Sequence, residues 1–236
     1  MKQISKFIST SVLLLSLSLI FPALANDIYI QQSGDNLDLD ITQDGQNNIA
    51  GTSATAISLT GDTMTFNIDQ VGDSNVVSAV INGNTYTGNI DLTGNSNTVA
   101  LTCDSGGTNC ETVSMSIDVV DSSADITVTI GNTADSQNYV GTLDIASGNS
   151  ETITLTVNAA NADSDIDIDN DALGATLGNT ANYTQSGDGD INGHSLTHSH
   201  TGEGATIDIT QSGVYDNVLN LTTSGDNADI DVTQSD

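Results

Sequence analysis

From residue 27 onward, hydrophobic and polar positions alternate strictly over short runs, and glycine closes each run. Leu37, Leu39, Ile41 and Gln43 share one parity, while Asp38, Asp40 and Thr42 take the other. An extended chain turns such a run into a strand with one aliphatic face and one hydroxyl- and carboxylate-bearing face. The run recurs. Ile28-Tyr29-Ile30-Gln31-Gln32-Ser33-Gly34 is echoed by Leu39-Asp40-Ile41-Thr42-Gln43-Asp44-Gly45 and by Phe66-Asn67-Ile68-Asp69-Gln70-Val71-Gly72. Further copies are Ile207-Asp208-Ile209-Thr210-Gln211-Ser212-Gly213, Tyr183-Thr184-Gln185-Ser186-Gly187 and Ile230-Asp231-Val232-Thr233-Gln234-Ser235. A sister form lacks the Gln and ends in Thr60-Gly61 and Thr93-Gly94. Gly34 and Gly45 are 11 residues apart, as are the successive glycines at 61, 72, 83 and 94.

Glycine followed by Asp, Asn or Ser supplies turn residues that tolerate positive φ. The 11-residue unit therefore reads as one strand and one tight turn. Two units make a strand–turn–strand–turn rung of about 22 residues, and rungs stacked at about 4.8 Å bury what one rung cannot bury alone. The predicted fold class is all-β, a β-solenoid of such stacked rungs. Gln32, Gln43, Gln70, Gln185, Gln211 and Gln234 share the parity of the aliphatics before them, which turns them inward. A lone buried amide is costly, but amides stacked rung on rung can bond to one another along the axis. The competing placement leaves these Gln half exposed at strand ends, beside the turn.

The pattern divides the chain into a leader at 1–25, a Gln/Asn-rich segment with the first repeats at 26–48, and clear repeats at 49–99 and 183–236. Between 100 and 182 the register loosens. Ile126-Thr127-Val128-Thr129-Ile130 and Leu143-Asp144-Ile145 keep the alternation without the Gln, and residues 151–157 form a strong strand pattern. These read as degenerate rungs of the same solenoid with a Cys-closed loop; the alternative is an inserted β domain.

Composition changes the picture at the N-terminus. Lys2 and Lys6, the apolar stretch 7–21 and Pro22-Ala23-Leu24-Ala25 have the order of a secretory signal peptide cleaved after Ala25, with an N-terminal membrane anchor as the alternative. The remaining chain has no Lys, Arg or Pro and a formal side-chain charge of −31, since the precursor's −29 includes the two lysines that leave. A polyanion of this kind does not hold nucleic acid, whose affinity comes from phosphate neutralisation. Anionic membrane surfaces are excluded for the same reason. Cations, basic proteins and further copies of the chain remain as partners. Hydrophobic residues at 36%, alternating with polar ones, argue against disorder despite only 3% aromatics.

Candidate chemistry is sparse. Cys103 and Cys110 flank a Gly-Gly turn, which in an exported chain reads as a disulfide closing a loop. His194, His198 and His200 fall on one face of a strand, where they either bind a metal and titrate together or form a solvated face; the spacing favours the solvated face. Asp at every second position from 163 to 171 predicts a row of carboxylates that diffuse cations screen, without a defined calcium site. With no basic partner and no nucleophile motif, no catalytic group and no cofactor are predicted, and the chain reads as no enzyme.

The recurrent aliphatic-x-Gln-x-Gly-x-x-Asn between polar turns, after a signal peptide, resembles the curlin repeat of curli-type fibre subunits. The resemblance is clearest at 28–97 and 183–234. It implies that the six Gln form stacking ladders, joined by Asn36, Asn47, Asn75, Asn217 and Asn227 after the turn glycines. It further implies a secreted subunit at the bacterial surface that polymerises by edge-strand stacking into extracellular amyloid fibres of a biofilm matrix. Its partners would be copies of itself, a nucleator subunit and a secretion channel. A departure from the family is that the even 22-residue ladder breaks in the middle. The alternative function is a monomeric solenoid adhesin or surface binding module. Calcium-dependent binding is less favoured, as is ice binding, because Thr127/Thr129 and Thr152/Thr154/Thr156 do not recur with a 22-residue rung.

Overall fold

The computed structural model describes residues 27–45, 47–51, 54, 56–72, 74–94, 96–103, 110, 112–120, 124–131, 136–146, 151–169, 180–187, 194–215 and 217–235. The expected signal peptide at 1–25, the expected Gly-Gly turn within 104–109 and the side chains at 163 and 165–169 lie outside this description.

Strands alone make up the regular structure of the described residues. In chain order they are β1 (Asp27–Ile28), β2 (Gln31–Ser33), β3 (Asp38–Asp44), β4 (Ile49–Ala50), β5 (Ile57–Thr60) and β6 (Met64–Val71). There follow β7 (Val76–Asn82), β8 (Thr85–Thr93), β9 (Thr98–Cys103), β10 (Thr112–Val120), β11 (Asp125–Ile130) and β12 (Ser136–Ala146). The last are β13 (Thr152–Asp169), β14 (Thr180–Ser186), β15 (Ser195–Thr201), β16 (Thr206–Ser212), β17 (Val218–Ser224) and β18 (Asp229–Ser235). Every pairing between them is parallel.

The fold is a β-solenoid with two parallel sheets. Sheet one stacks β2, β5, β7, β9, β11, the first half of β13, β14, β16 and β18. Sheet two stacks β3, β6, β8, β10, β12, the second half of β13, β15 and β17. Inward residues of both sheets form a single core, from Ile41, Phe66 and Ile57 through Leu101, Ile117 and Ile145 to Tyr183 and Ile209. The strands between 100 and 182 lie in these same sheets, and their buried inward positions are mostly apolar, with no Gln among them.

The advance of 22 residues holds where Ile57 meets Ala79, Val76 meets Thr98 and Met64 meets Tyr86. It also holds where Asp27 meets Ile49, but most other pairings are longer, and turns are about 26 residues apart. The added residues sit where they leave the strand register intact. Residues between Ala50 and Ile57 leave sheet one in mid-strand, since these two align with Val77 and Ala79 on the next level. β9 ends at Cys103 in sheet one and β10 begins at Thr112 in sheet two. There Cys103 and Cys110, both buried, are joined by a disulfide with Cα atoms 6.0 Å apart.

Turn glycines stack as the strands do. The Gly45 amide donates to the Val71 carbonyl at 3.0 Å, and the Gly72 amide to Thr93 at 2.8 Å. Gly72 has φ +147°, and a Cβ there would overlap the Gly45 carbonyl oxygen one level away. The backbone thus comes too close for any side chain. Gly72→Ala is expected to cost about 2 kcal/mol or more, read as a lower urea midpoint, while Thr87→Ala on the outer face stays within about 0.5 kcal/mol.

Candidate functional site

Two columns of inward amides sit toward opposite ends of the stack. In sheet two, Gln43 and Gln70 are register partners, and Gln70 Nε2 donates to Gln43 Oε1. In sheet one, Gln234 Nε2 donates to Gln211 Oε1 at 2.7 Å, and Gln211 Nε2 to Gln185 Oε1 at 2.7 Å. Gln185 Nε2 ends the row on Ser164 Oγ at 3.0 Å. All of them but Gln234 also close their own turns. Gln43, Gln185 and Gln211 donate to the carbonyls of Ile49, Ser195 and Val218 at 3.0, 3.1 and 3.2 Å. One side chain therefore binds its own rung and the neighbouring one, which satisfies polar atoms that water cannot reach.

Gln43, Gln70, Gln185 and Gln211 are all buried, whereas Gln234 on the last level is exposed. Gln32 on the first level is half-buried and stands over Leu59, not over another amide. Between the two ends the same positions hold Leu92, Val119 and Ile145 in sheet two, and Ile81, Cys103, Ile130 and Val157 in sheet one.

The asparagines divide into two groups. Asn75 is buried and donates to the Gln70 and Thr93 carbonyls at 2.9 and 3.2 Å, spanning two rungs. Asn48 does the same for Gln43 and Val71 at 3.1 and 2.8 Å, and Asn97 donates to Gly94 at 3.3 Å. Asn47, the sequence candidate, is the exposed neighbour of Asn48. Counting five residues on from Gln43 and Gln70, rather than from the glycine, finds Asn48 and Asn75. Asn36 and Asn227 are exposed and occupy left-handed turn positions, each at φ 62°. Asn217 accepts the His194 backbone amide at 3.2 Å on its Oδ1.

The histidines correct the expectation of a solvated face. His194, His198 and His200 point into the core and are at most 2% exposed. Their parity is that of Leu196, which is itself buried, and that was the available signal. The His198 ring lies 5.2 Å from the Tyr183 ring and is stacked on His200 at 6.1 Å. The ring nitrogens of His198 and His200 have no hydrogen-bond partner among the described residues. Burial, with the neighbouring His200 adding to it, holds His198 down to about 4, and burial also lowers His194 and His200.

Carboxylates form a column across rungs. Asp69, Asp91, Asp118 and Asp144 are successive register partners on the outer face of sheet two. Partial burial raises Asp118, and its neighbours Asp144 and Asp91 raise it further. Among the described residues, no three His, Cys, Asp or Glu are arranged to hold a metal ion.

Compared with known proteins, the chain matches no family model, no curated protein and no solved structure.

The buried imidazoles dictate a pH response. Above pH 6.5 they are neutral in both folded and unfolded chains. As pH falls from 6.5 toward about 4, the unfolded chain takes up protons that folded His198 refuses, so stability is lost through that window. His198 alone accounts for a loss of about 3 kcal/mol by the lower limit. Asp118 acts in the opposite sense, because its raised value lets the folded chain protonate first. Thermal midpoints measured from about pH 7 to pH 5 should fall, and His198→Leu should flatten that fall.

Proposed function

We propose that the chain is a secreted, curli-like structural subunit that assembles end to end into extracellular fibres by strand addition. The carrying observation is one column of sheet one. It begins at Gln32, runs through Leu59, Ile81, Cys103, Ile130, Val157, Gln185 and Gln211, and ends at Gln234. An amide stands at each extremity of a column whose middle is apolar. Stacking a second copy in register sets its Gln32 on Gln234, prolonging the hydrogen-bonded row across the junction.

The terminal levels also carry inward aliphatics that are only partly covered: Ile28, Ile30, Leu37 and Leu39 at one end, Leu219, Leu221 and Ile230 at the other. No helix covers either end among the described residues. Among the described residues the outer edges of β3 and β18 have no strand partner, and they offer backbone donors and acceptors to a following strand. A terminal Gln can bond water until a partner arrives, which an aliphatic edge cannot. The charge of −31 opposes association, so salt, divalent cations or mild acid should quicken growth.

Thioflavin fluorescence and fibre diffraction test this reading. The mature chain should form fibres with a meridional spacing of about 4.8 Å. Gln32→Glu buries an unpaired charge only at the junction, and should slow growth at least about tenfold while leaving the monomer's melting nearly unchanged. Absence of fibres at high concentration, under all three accelerating conditions, would assign the solenoid to a monomeric binding role instead.

A further inference from the structure

Sheet one presents to the outside an array that a fixed 22-residue rung conceals. Its register aligns Thr102, Thr129, Thr156, Thr184, Thr210 and Thr233 in one straight column across consecutive levels. The spacings between them vary with the loops, but the backbone pairing brings each hydroxyl over the last. Two residues back along each strand, Thr127 and Thr154 stand side by side, with Ala100 and Asn182 flanking them. A third column holds Thr98, Thr152, Thr180 and Thr206, interrupted by Asp125. From Thr98 to Thr184 the face is three positions wide, and Asp125 carries its single charge. All these threonines are exposed or half-exposed.

Strand propensity explains threonine on a strand but not six in one column, whereas the outward threonines of sheet two, Thr65 with Thr87 and Thr85 with Thr112, run over two levels. The outer face of sheet two belongs to the same rungs, yet it carries Asp91, Asp118 and Asp144 in its corresponding column and Asn89, Ser116 and Thr142 in the next. The hydroxyl array is thus a property of one surface.

We infer that this face binds ice, acting as a lattice of anchored water sites. Threonine is stiff about its first side-chain torsion, so repeated copies hold hydroxyl and methyl in one orientation. The methyl orders the water around it, while the hydroxyl fixes that water by hydrogen bonds. The array repeats at about 4.8 Å across strands and about 6.8 Å along them. Both repeats are close to those of hexagonal ice, and a rigid stack holds them in two dimensions at once. A strip with a single carboxylate, Asp125, on an otherwise strongly acidic molecule suits an uncharged lattice, whereas a carboxylate face holds its own hydration instead.

Ice recrystallisation and thermal hysteresis, measured on freshly purified mature chain, decide the matter. Wild type should arrest grain growth where an unrelated acidic protein of similar charge does not. Thr156→Tyr, and separately the more exposed Thr127→Tyr, should weaken this by about tenfold through steric mismatch with the lattice. Asn89→Tyr on the opposite face should leave it unchanged, with circular dichroism verifying that all three fold. Wild-type activity no greater than the control's overturns the inference, as does an equal loss from Asn89→Tyr. Inactive wild type whose fibres pair laterally, and come apart in Thr156→Tyr, would assign the face to contacts between copies and likewise overturn it. Fibre formation is scored separately, so neither result depends on the other.

Discussion

In-register parallel stacking is the constraint on which everything else in this molecule rests. Strands between the two terminal levels find their backbone partners directly above and below, and each column of side chains must then tolerate its own repetition. Aliphatic columns do so by burial. Amide columns do so by pairing oxygen with nitrogen across levels, as Gln185, Gln211 and Gln234 do. Carboxylate columns do so only on the outside, where water screens them. Glycine columns do so because nothing else fits where the Gly45 and Gly72 backbones meet. The histidines are the exception. They occupy inward positions without repetition, the ring nitrogens of His198 and His200 have no hydrogen-bond partner among the described residues, and the consequence is a core that resists protonation.

Much of this was legible from alternation. Parity placed Ile41, Gln43, Ile68, Gln70, Ile209 and Gln211 inward, and they are buried. Glycine spacing marked the turns. Rung length was less legible, because residues inserted between Ala50 and Ile57 or between Cys103 and Thr112 lengthen the chain without moving the strands. A periodicity count registers those insertions as decay of the repeat, whereas the backbone pairing absorbs them. The same effect hid the threonine column, since alignment between levels is a property of pairing and not of sequence separation. Asn48 was passed over for Asn47 because the turn was counted from its glycine, while the hydrogen bonds that hold the turn start at the glutamine.

Polar and apolar means of stacking are distributed unevenly. The middle of the solenoid is the most hydrophobic part, with Val119, Ile130, Ile145 and Val157 completely or almost completely buried. Amides gather toward the ends, where Gln70, Gln185 and Gln211 are as deeply buried as those aliphatics. An aliphatic column gains free energy from burial but tolerates a slip of one level, since one aliphatic replaces another at modest cost. An amide column does not, because a slipped amide loses its partner while remaining buried. The ends therefore fix registry and the middle supplies stability.

The direction of the backbone hydrogen bonds has a mechanical consequence. They run along the stack, so tension applied down its axis loads the levels in series, and the bonds within one level share that load in parallel. Strength is then set by the level with the fewest paired positions. In sheet one that is the first level, where β1 pairs with β4 over two residues and β2 with β5 over three. Under force the molecule would part near its first turns, leaving the long β13 and its neighbours intact.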